Sequence, residues 1–224
     1  MKKLFGVSTL IIIILVIFHD KIIENYINYK LSKWVEKDIS FKEFSFEYPN
    51  SVSITGLNII SSNPINYKNI FESDKIYFNI DLKTYFFNGL VIINDLVIEN
   101  PNFFLELVVK KGSDESKEKI IIEDNIGVAK KINEKLPDKI WPQKKKDKNF
   151  LILKSFINNG TAFIKISSIK DQSKISLSNF EFSNIGNQKG FQHYKDILKI
   201  IFLDIFGREP DLSKKKILKE VYKF

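Results

Sequence analysis

The hydrophobic residues of this chain keep three rhythms. From Leu4 to Phe18 they run unbroken, "LFGVSTLIIIILVIF", behind Lys2 and Lys3. From Ile22 to Val35 they return at helical spacing, at Ile22, Ile23, Tyr26, Ile27, Leu31, Trp34 and Val35. Lys21, Glu24, Lys30, Lys33, Glu36 and Lys37 fill the positions between. From Ile39 the period drops to two, the mark of strands with one buried face. "FKEFSFEY" (41–48) predicts a first strand, with Pro49-Asn50 as a turn. "SVSITGLNII" (51–60) predicts a second, where Gly56 permits a bulge or a close approach. A loop follows. "DKIYFNIDLKTYF" (74–86) predicts a third, with Ile76, Phe78, Ile80 and Leu82 opposite Lys75, Tyr77, Asn79, Asp81 and Lys83. Asn88-Gly89 predicts a tight turn.

The next stretch, "GLVIINDLVIENPNFFLELVV" (89–109), predicts two strands broken at Asn100-Pro101. Its alternation is imperfect. Leu90, Ile92, Leu96 and Ile98 fall on one side and Val91, Ile93 and Val97 on the other, so both faces are apolar and the second needs something to bury against. Residues 111–148 are charged, lack alternation and contain Pro137 and Pro142. They predict an excursion from the sheet, with a helix over Asn125–Leu136 capped by Asp124. Strands resume with "NFLILKSFI" (149–157) and "TAFIKISSI" (161–169), and Asn158-Asn159-Gly160 between them is a hairpin signal. "SKISLSNFEFSNI" carries Ile175 and Leu177 on one phase, then Phe180 and Phe182 on the other. That switch predicts a bulge near Asn179. The C-terminus returns to helix. Tyr194, Ile197, Leu198, Ile201, Phe202, Ile205 and Phe206 form a wide stripe ended by Gly207, and "DLSKKKILKEVYKF" is a short basic amphipathic helix.

The pattern predicts an α+β, mainly β chain. It comprises an N-terminal transmembrane and amphipathic helix, a curled antiparallel sheet of about eight strands, and C-terminal amphipathic helices. The segments are 1–20 (anchor), 21–38 (amphipathic helix), 39–110 (first β-module), 111–148 (charged excursion), 149–186 (second β-module) and 187–224 (C-terminal helices).

The apolar run of 15 residues would span about 22 Å as a helix, short of the ~30 Å hydrocarbon core. No small-residue cleavage site follows, which favours an uncleaved signal anchor over a signal peptide. Lys2-Lys3 would stay cytoplasmic and send the remaining chain across. In a Gram-negative cell that gives a single-pass inner-membrane protein with its bulk in the periplasm. The amphipathic stripe after the anchor fits either the membrane interface or the end of the sheet.

Composition narrows the chemistry. There are no cysteines, so disulfides, thiolate metal sites and cysteine nucleophiles are excluded. The net charge of +8 comes from scattered lysines, clustered at 144–146 and 214–216. No basic strand is interleaved with aromatics, so nucleic acid is not an expected partner. Neither His19 nor His193 has a metal-ligand partner at i+4. No nucleophile elbow, P-loop or dinucleotide fingerprint is present. The expectation is a protein that is not an enzyme and has no metal and no cofactor.

One span resembles a known family. Gly56-Leu57, Asn63-Pro64, Ser73-Asp74-Lys75-Ile76, Asp81-Leu82, Asn88-Gly89 and Pro101 with Leu105-Glu106 follow the order of the N-terminal module of AsmA-like proteins. "FLILKSFINNGTAFIKI", "ISLSNFEFSNIG" and the helix after Ile185-Gly186 are similar to the later part of the family's short, single-module members. The resemblance implies a half-open β-groove, or taco, with an apolar inside. It also implies a role in phospholipid traffic and outer-membrane homeostasis without catalytic residues. About eight strands at ~4.8 Å each give roughly 40 Å of groove, too short to cross the periplasm alone. The candidate lipid-groove residues are Ile76, Phe78, Ile80, Leu82, Leu90, Ile92, Leu96, Ile98, Phe103, Leu105 and Leu107. The expected partners are the membrane and phospholipid, with other envelope proteins or self-association besides. Two alternatives stand beside this. The same residues fit an ordinary core packed on the terminal helices. The chain also fits a membrane-anchored assembly or scaffold factor that binds a protein partner through a sheet edge and carries no lipid.

Overall fold

The computed structural model describes residues 37–111, 120–125, 150–186 and 190–222, apart from Tyr48, Ser62, Asn63 and Gly89, together with Asn25, Asn28, Tyr29, Ser32 and Lys33. The expected anchor, the apolar stripe of the amphipathic segment and the expected helix beyond Asn125 lie outside these residues. Among the described residues no helix is long and apolar enough to cross a membrane.

The described chain is mainly β, a curled half-barrel sheet with helices at its C-terminal end. The strands are β1 (Ile39–Ser40), β2 (Glu43–Glu47), β3 (Ser51–Ile60), β4 (Asn69–Ile80), β5 (Val91–Glu99), β6 (Asn102–Lys111), β7 (Ile120–Asp124), β8 (Phe150–Asn158), β9 (Thr161–Ile166), β10 (Ser173–Ser176) and β11 (Phe180–Gly186). The helices are α1 (Leu82–Asn88), α2 (Tyr194–Arg208) and α3 (Leu212–Val221). All eleven described strands join one sheet. The two strand runs, 39–110 and 149–186, interleave within it, because β8 lies beside β5 and β9 beside β6. Both of those ladders are parallel, which corrects the expectation of a purely antiparallel sheet.

Three local readings are also corrected. Leu82 does not extend the third strand; it opens α1. Asp81 accepts from Thr84 N at 3.0 Å and from Thr84 Oγ1 at 2.6 Å, so a cap three residues ahead of its partner starts a helix there. Those bonds hold the Asp81 carboxyl below its usual range. Residues 111–148 are not only an excursion, since Ile120–Asp124 form β7, which pairs antiparallel with β6.

The third correction concerns Asn159-Gly160, which makes no hairpin; Asn100-Pro101 breaks two strands as expected. β4 pairs with β5 and with β6 in one unbroken register, Lys75 opposite Glu99 and Glu72 opposite Asn102. β5 and β6 are therefore one long strand bent in the middle. The same holds for β8 and β9. Their parallel alignment keeps the same residue spacing from Val91 opposite Phe150 to Leu107 opposite Ile166. It holds again for β11 and β10 along β8 and β9. The bends fall in one row across the sheet: Gly56, Asp74, Asn100, Asn159 and Ser178. Gly56, Asn100 and Asn159 have φ of 63°, 49° and 56°. Glycine and asparagine tolerate this left-handed region where other side chains do not.

The crease changes which residues face the core. On β3, Val52 and Ile54 point inward before it and Leu57 after it. On β8 and β9, Ile157 is inward before it and Ala162, Ile164 and Ile166 after it. On β10 and β11, Ile175 and Leu177 give way to Phe182, the phase switch expected near Asn179. Since every strand switches in the same row, the hydrogen-bond ladder continues across it. Asn100 N donates to Asn158 O at 3.0 Å, Thr161 N to Pro101 O at 2.8 Å, and Leu177 N to Gly160 O at 2.9 Å. A Cβ on Gly160 would lie 3.1 Å from Leu177 Cδ1 and 3.4 Å from Pro101 Cγ, so the strands close tightly over that glycine.

Candidate functional site

The inner face of the sheet is apolar from edge to edge. One row reads Phe44, Ile54, Ile76, Ile98, Ile157 and Phe180 across β2, β3, β4, β5, β8 and β11. The next reads Phe46, Val52, Phe78, Leu96, Ser155 and Phe182. Residues directly opposite in a ladder share a face, so each row is a continuous strip. The outer face between these rows is more polar. Tyr77 bonds Ser51 at 3.0 Å, and Asn79 exchanges bonds with Asn50 at 3.1 and 3.2 Å.

The cover over this apolar face is uneven. On the side of β6 and β8–β11, the helices α2 and α3 close it. Leu105, Leu107, Ala162, Ile164 and Ile166 are at most 1% exposed and share a core with Ile201, Ile205, Phe206, Leu218 and Tyr222. Phe206 and Phe202 both pack on Tyr222, with ring centroids 5.7 and 5.6 Å apart. On the side of β1–β4, Ile39, Val52, Ile54 and Leu57 are buried, while Phe41, Phe44, Ile59, Phe71, Ile76, Phe78 and Ile80 are only partly so. No described helix contributes to that second cluster. At its rim Phe46 is 51% exposed.

The candidate groove residues divide between these environments. Ile76, Phe78 and Ile80 sit on β4 in the thinly covered cluster. Leu96 lies opposite Phe78, and Ile98 opposite Ile76. Ile98 and Phe103 pack at the border of the helix-covered core, Phe103 meeting Phe71 edge to face at 5.3 Å. Ile92 is on β5 opposite Leu151. Leu105 and Leu107 are interior residues of the helix-covered core, which removes them from any open groove. Leu82 belongs to α1, and Leu90 precedes β5 outside any element. Sequence reasoning missed Phe44 and Phe46 as members of the face. Their alternation with Glu43, Ser45 and Glu47 was the available signal.

Several buried polar groups tie loops and helices to the sheet. Glu106, 1% exposed, accepts from Asn66 N and Tyr67 N at 2.9 to 3.1 Å, strapping the 61–68 loop onto β6. Burial, then the Glu106 charge, raises the Tyr67 phenol above its ordinary range. Asp124, 4% exposed, accepts from Tyr222 Oη at 3.1 Å and joins β7 to the end of α3. Burial, the Asp124 charge and that bond push the Tyr222 phenol well above 10. At the other end of α3, Lys214 Nζ donates to Ser173 Oγ at 2.8 Å and Ser173 Oγ donates to Glu209 Oε1 at 2.8 Å. Ser173, Glu209 and Lys214 are all buried. The cluster fastens the helices to β10. Among the described residues no group of histidine, aspartate and glutamate side chains is placed to hold a metal.

Among the described residues the chain has a sheet with an apolar inner face, covered by helices on one side and not on the other. No family model matches the chain, and neither a curated protein nor a solved structure does.

Proposed function

We propose that this is an AsmA-like periplasmic protein, anchored in the inner membrane by its N-terminal segment. Its apolar groove binds or passes phospholipid in envelope and outer-membrane homeostasis. The observation that carries this reading is the unequal cover of one continuous apolar face. The strips through Ile76 and Phe78 span six strands, yet the β1–β4 side keeps partly exposed aromatic and aliphatic groups. At ~25 cal/mol per Å² such surface is unfavourable in water, and an acyl chain would relieve it. The absence of polar groups along both strips, Ser155 apart, suits a hydrocarbon chain rather than a polar ligand.

The test places a photoreactive benzoylphenylalanine at Phe78 in the full chain, in membranes. Its neighbour Tyr77, on the other face of β4, serves as the control. Phe78 is expected to crosslink to phospholipid and Tyr77 not to. Equal labelling at both sites, or none at either, overturns the reading. A Phe78 crosslink to a protein instead points to an assembly factor.

A further inference from the structure

We infer that the outward face of the C-terminal helix pair is a docking surface for an anionic phospholipid bilayer. α2 has two faces. Ile197, Ile201 and Ile205 point into the core at 8%, 4% and 0% exposure. Asp196, Lys199, Ile200, Leu203 and Gly207 form the exposed stripe one helical face away. On that stripe Ile200 is 39% and Leu203 47% exposed, and Leu212, the first residue of α3, is 80% exposed. Lys215 Nζ donates to Gly207 O at 2.7 Å, which holds the first turn of α3 beside the end of this stripe. The three aliphatic groups therefore belong to one surface.

Lysines outnumber free acids around that surface. Lys199, Lys216 and Lys219 are exposed or partly so, as is Lys215. Most acids of the two helices are already engaged. Asp204 is bonded by Arg208 Nε at 2.9 Å and by Ser178 N at 3.0 Å. Glu209 is 3% exposed and bonded to Ser173. Asp211 caps α3 by accepting from Ser213 N and Lys214 N. Asp196 and Glu220 remain as exposed counter-charges. What faces outward is a shallow aliphatic patch rimmed by lysines with long apolar stems. That is the composition an anionic membrane interface binds. Among the described residues the exposed large apolar groups of the patch are aliphatic, not the aromatic anchors typical of a protein interface. The inference is independent of what the groove holds.

The absence of cysteine supplies the test. Leu203→Cys and Leu212→Cys in the full chain each accept a single environment-sensitive fluorophore, and Glu181→Cys, exposed on the outer face of β11, is the control. Phosphatidylcholine vesicles with and without phosphatidylglycerol are compared. In both, the N-terminal apolar run provides attachment, so the dye reports only where the helix pair sits. With phosphatidylglycerol the dyes at 203 and 212 should shift to the blue and be quenched by nitroxide lipids, and the dye at 181 should not. Raised salt should reverse the shift. Lys216→Gln and Lys219→Gln should each weaken the effect about five-fold, the contribution of one lysine near an anionic surface. Both residues are exposed, so the fold is retained in each. No shift with phosphatidylglycerol, an equal shift at 181, or a shift indifferent to both lysines overturns the inference.

Discussion

Leu105 and Phe78 lie on the same apolar face of the same sheet, and their surroundings differ. Leu105 meets β9 on one side and the C-terminal helices above, and is 1% exposed. Phe78 meets Val52 and Leu96 in its ladder and keeps part of its ring in contact with solvent. The residue types are alike, so hydrophobicity cannot tell interior from lining. What differs, among the described residues, is whether α2 and α3 lie over the strand. A sheet face needs such a layer to become a core, and α2 and α3 are long enough to cover only one side of this one.

The comparison breaks first at substitution by charge. Leu105→Asp should abolish cooperative unfolding, because an unpaired carboxylate cannot be solvated there. Phe78→Asp should leave a folded domain that no longer crosslinks lipid. The milder pair sharpens the contrast: Leu105→Ala should cost about 3 kcal/mol and Phe78→Ala roughly half of that or less, read from urea midpoints. Equal costs would mean that the β1–β4 side is core as well.

The fastening of the helices comes next. Lys214→Met takes the Lys214 donor from Ser173 Oγ and a positive charge from the buried cluster that holds Glu209, and should cost about 3 kcal/mol. Lys214→Met with Glu209→Leu should recover part of that. Neither change should alter labelling from Phe78, since the cluster lies on the covered side.

The crease is a smaller matter. Asn159→Ala forces a Cβ-bearing residue without a compensating amide into φ of 56°, at a cost of about 1 kcal/mol. Asn159→Gly should be close to neutral, and a loss equal to that of Ala would show that the amide rather than the backbone matters.

The smallest effects are those of pH, and both belong to the covered side. Tyr222 has its phenol raised in the fold, so its contribution is complete below the ordinary value of 10 and declines as pH rises through the folded value. Tyr222→Phe should remove that alkaline slope. Asp204 behaves oppositely. Burial alone would raise it, but the Ser178 N–H, the Arg208 guanidinium and the Ser178 hydroxyl outweigh burial and hold it low. Its contribution is complete above 3.8 and declines as pH falls through the folded value. Asp204→Asn should flatten that acid arm of the stability curve.

Much of this was legible in the chain. The strands around Ile76–Ile80, the C-terminal helices and the phase change near Asn179 follow from periodicity alone. The helix at Leu82 was also written there, in Asp81 and Thr84, but an alternating run continued through it and concealed the cap. Asn100-Pro101 was legible as a break between strands, and Asn159-Gly160 was misleading as a hairpin. A turn and a kink demand the same backbone of those residues. Only the partner strand distinguishes them. Once β4 is seen to run past Asn100 in one register, the change of parity at the bend explains why Ile98 before it and Phe103 and Leu105 after it share the inward face.

The sequence by itself determined which residues prefer to leave water, where the backbone turns left-handed, and that no cysteine thiolate, nucleophile motif or spaced histidine pair is written into the chain. These are local properties of side chains and of φ. The tertiary structure alone decided that β8 lies beside β5 rather than beside β9, that five bends align in one row, and that the helices cover Leu105 and not Phe78. Each of these depends on contacts between residues far apart in the chain. Periodicity reports which face is apolar, but the layer that covers it is chosen by the fold.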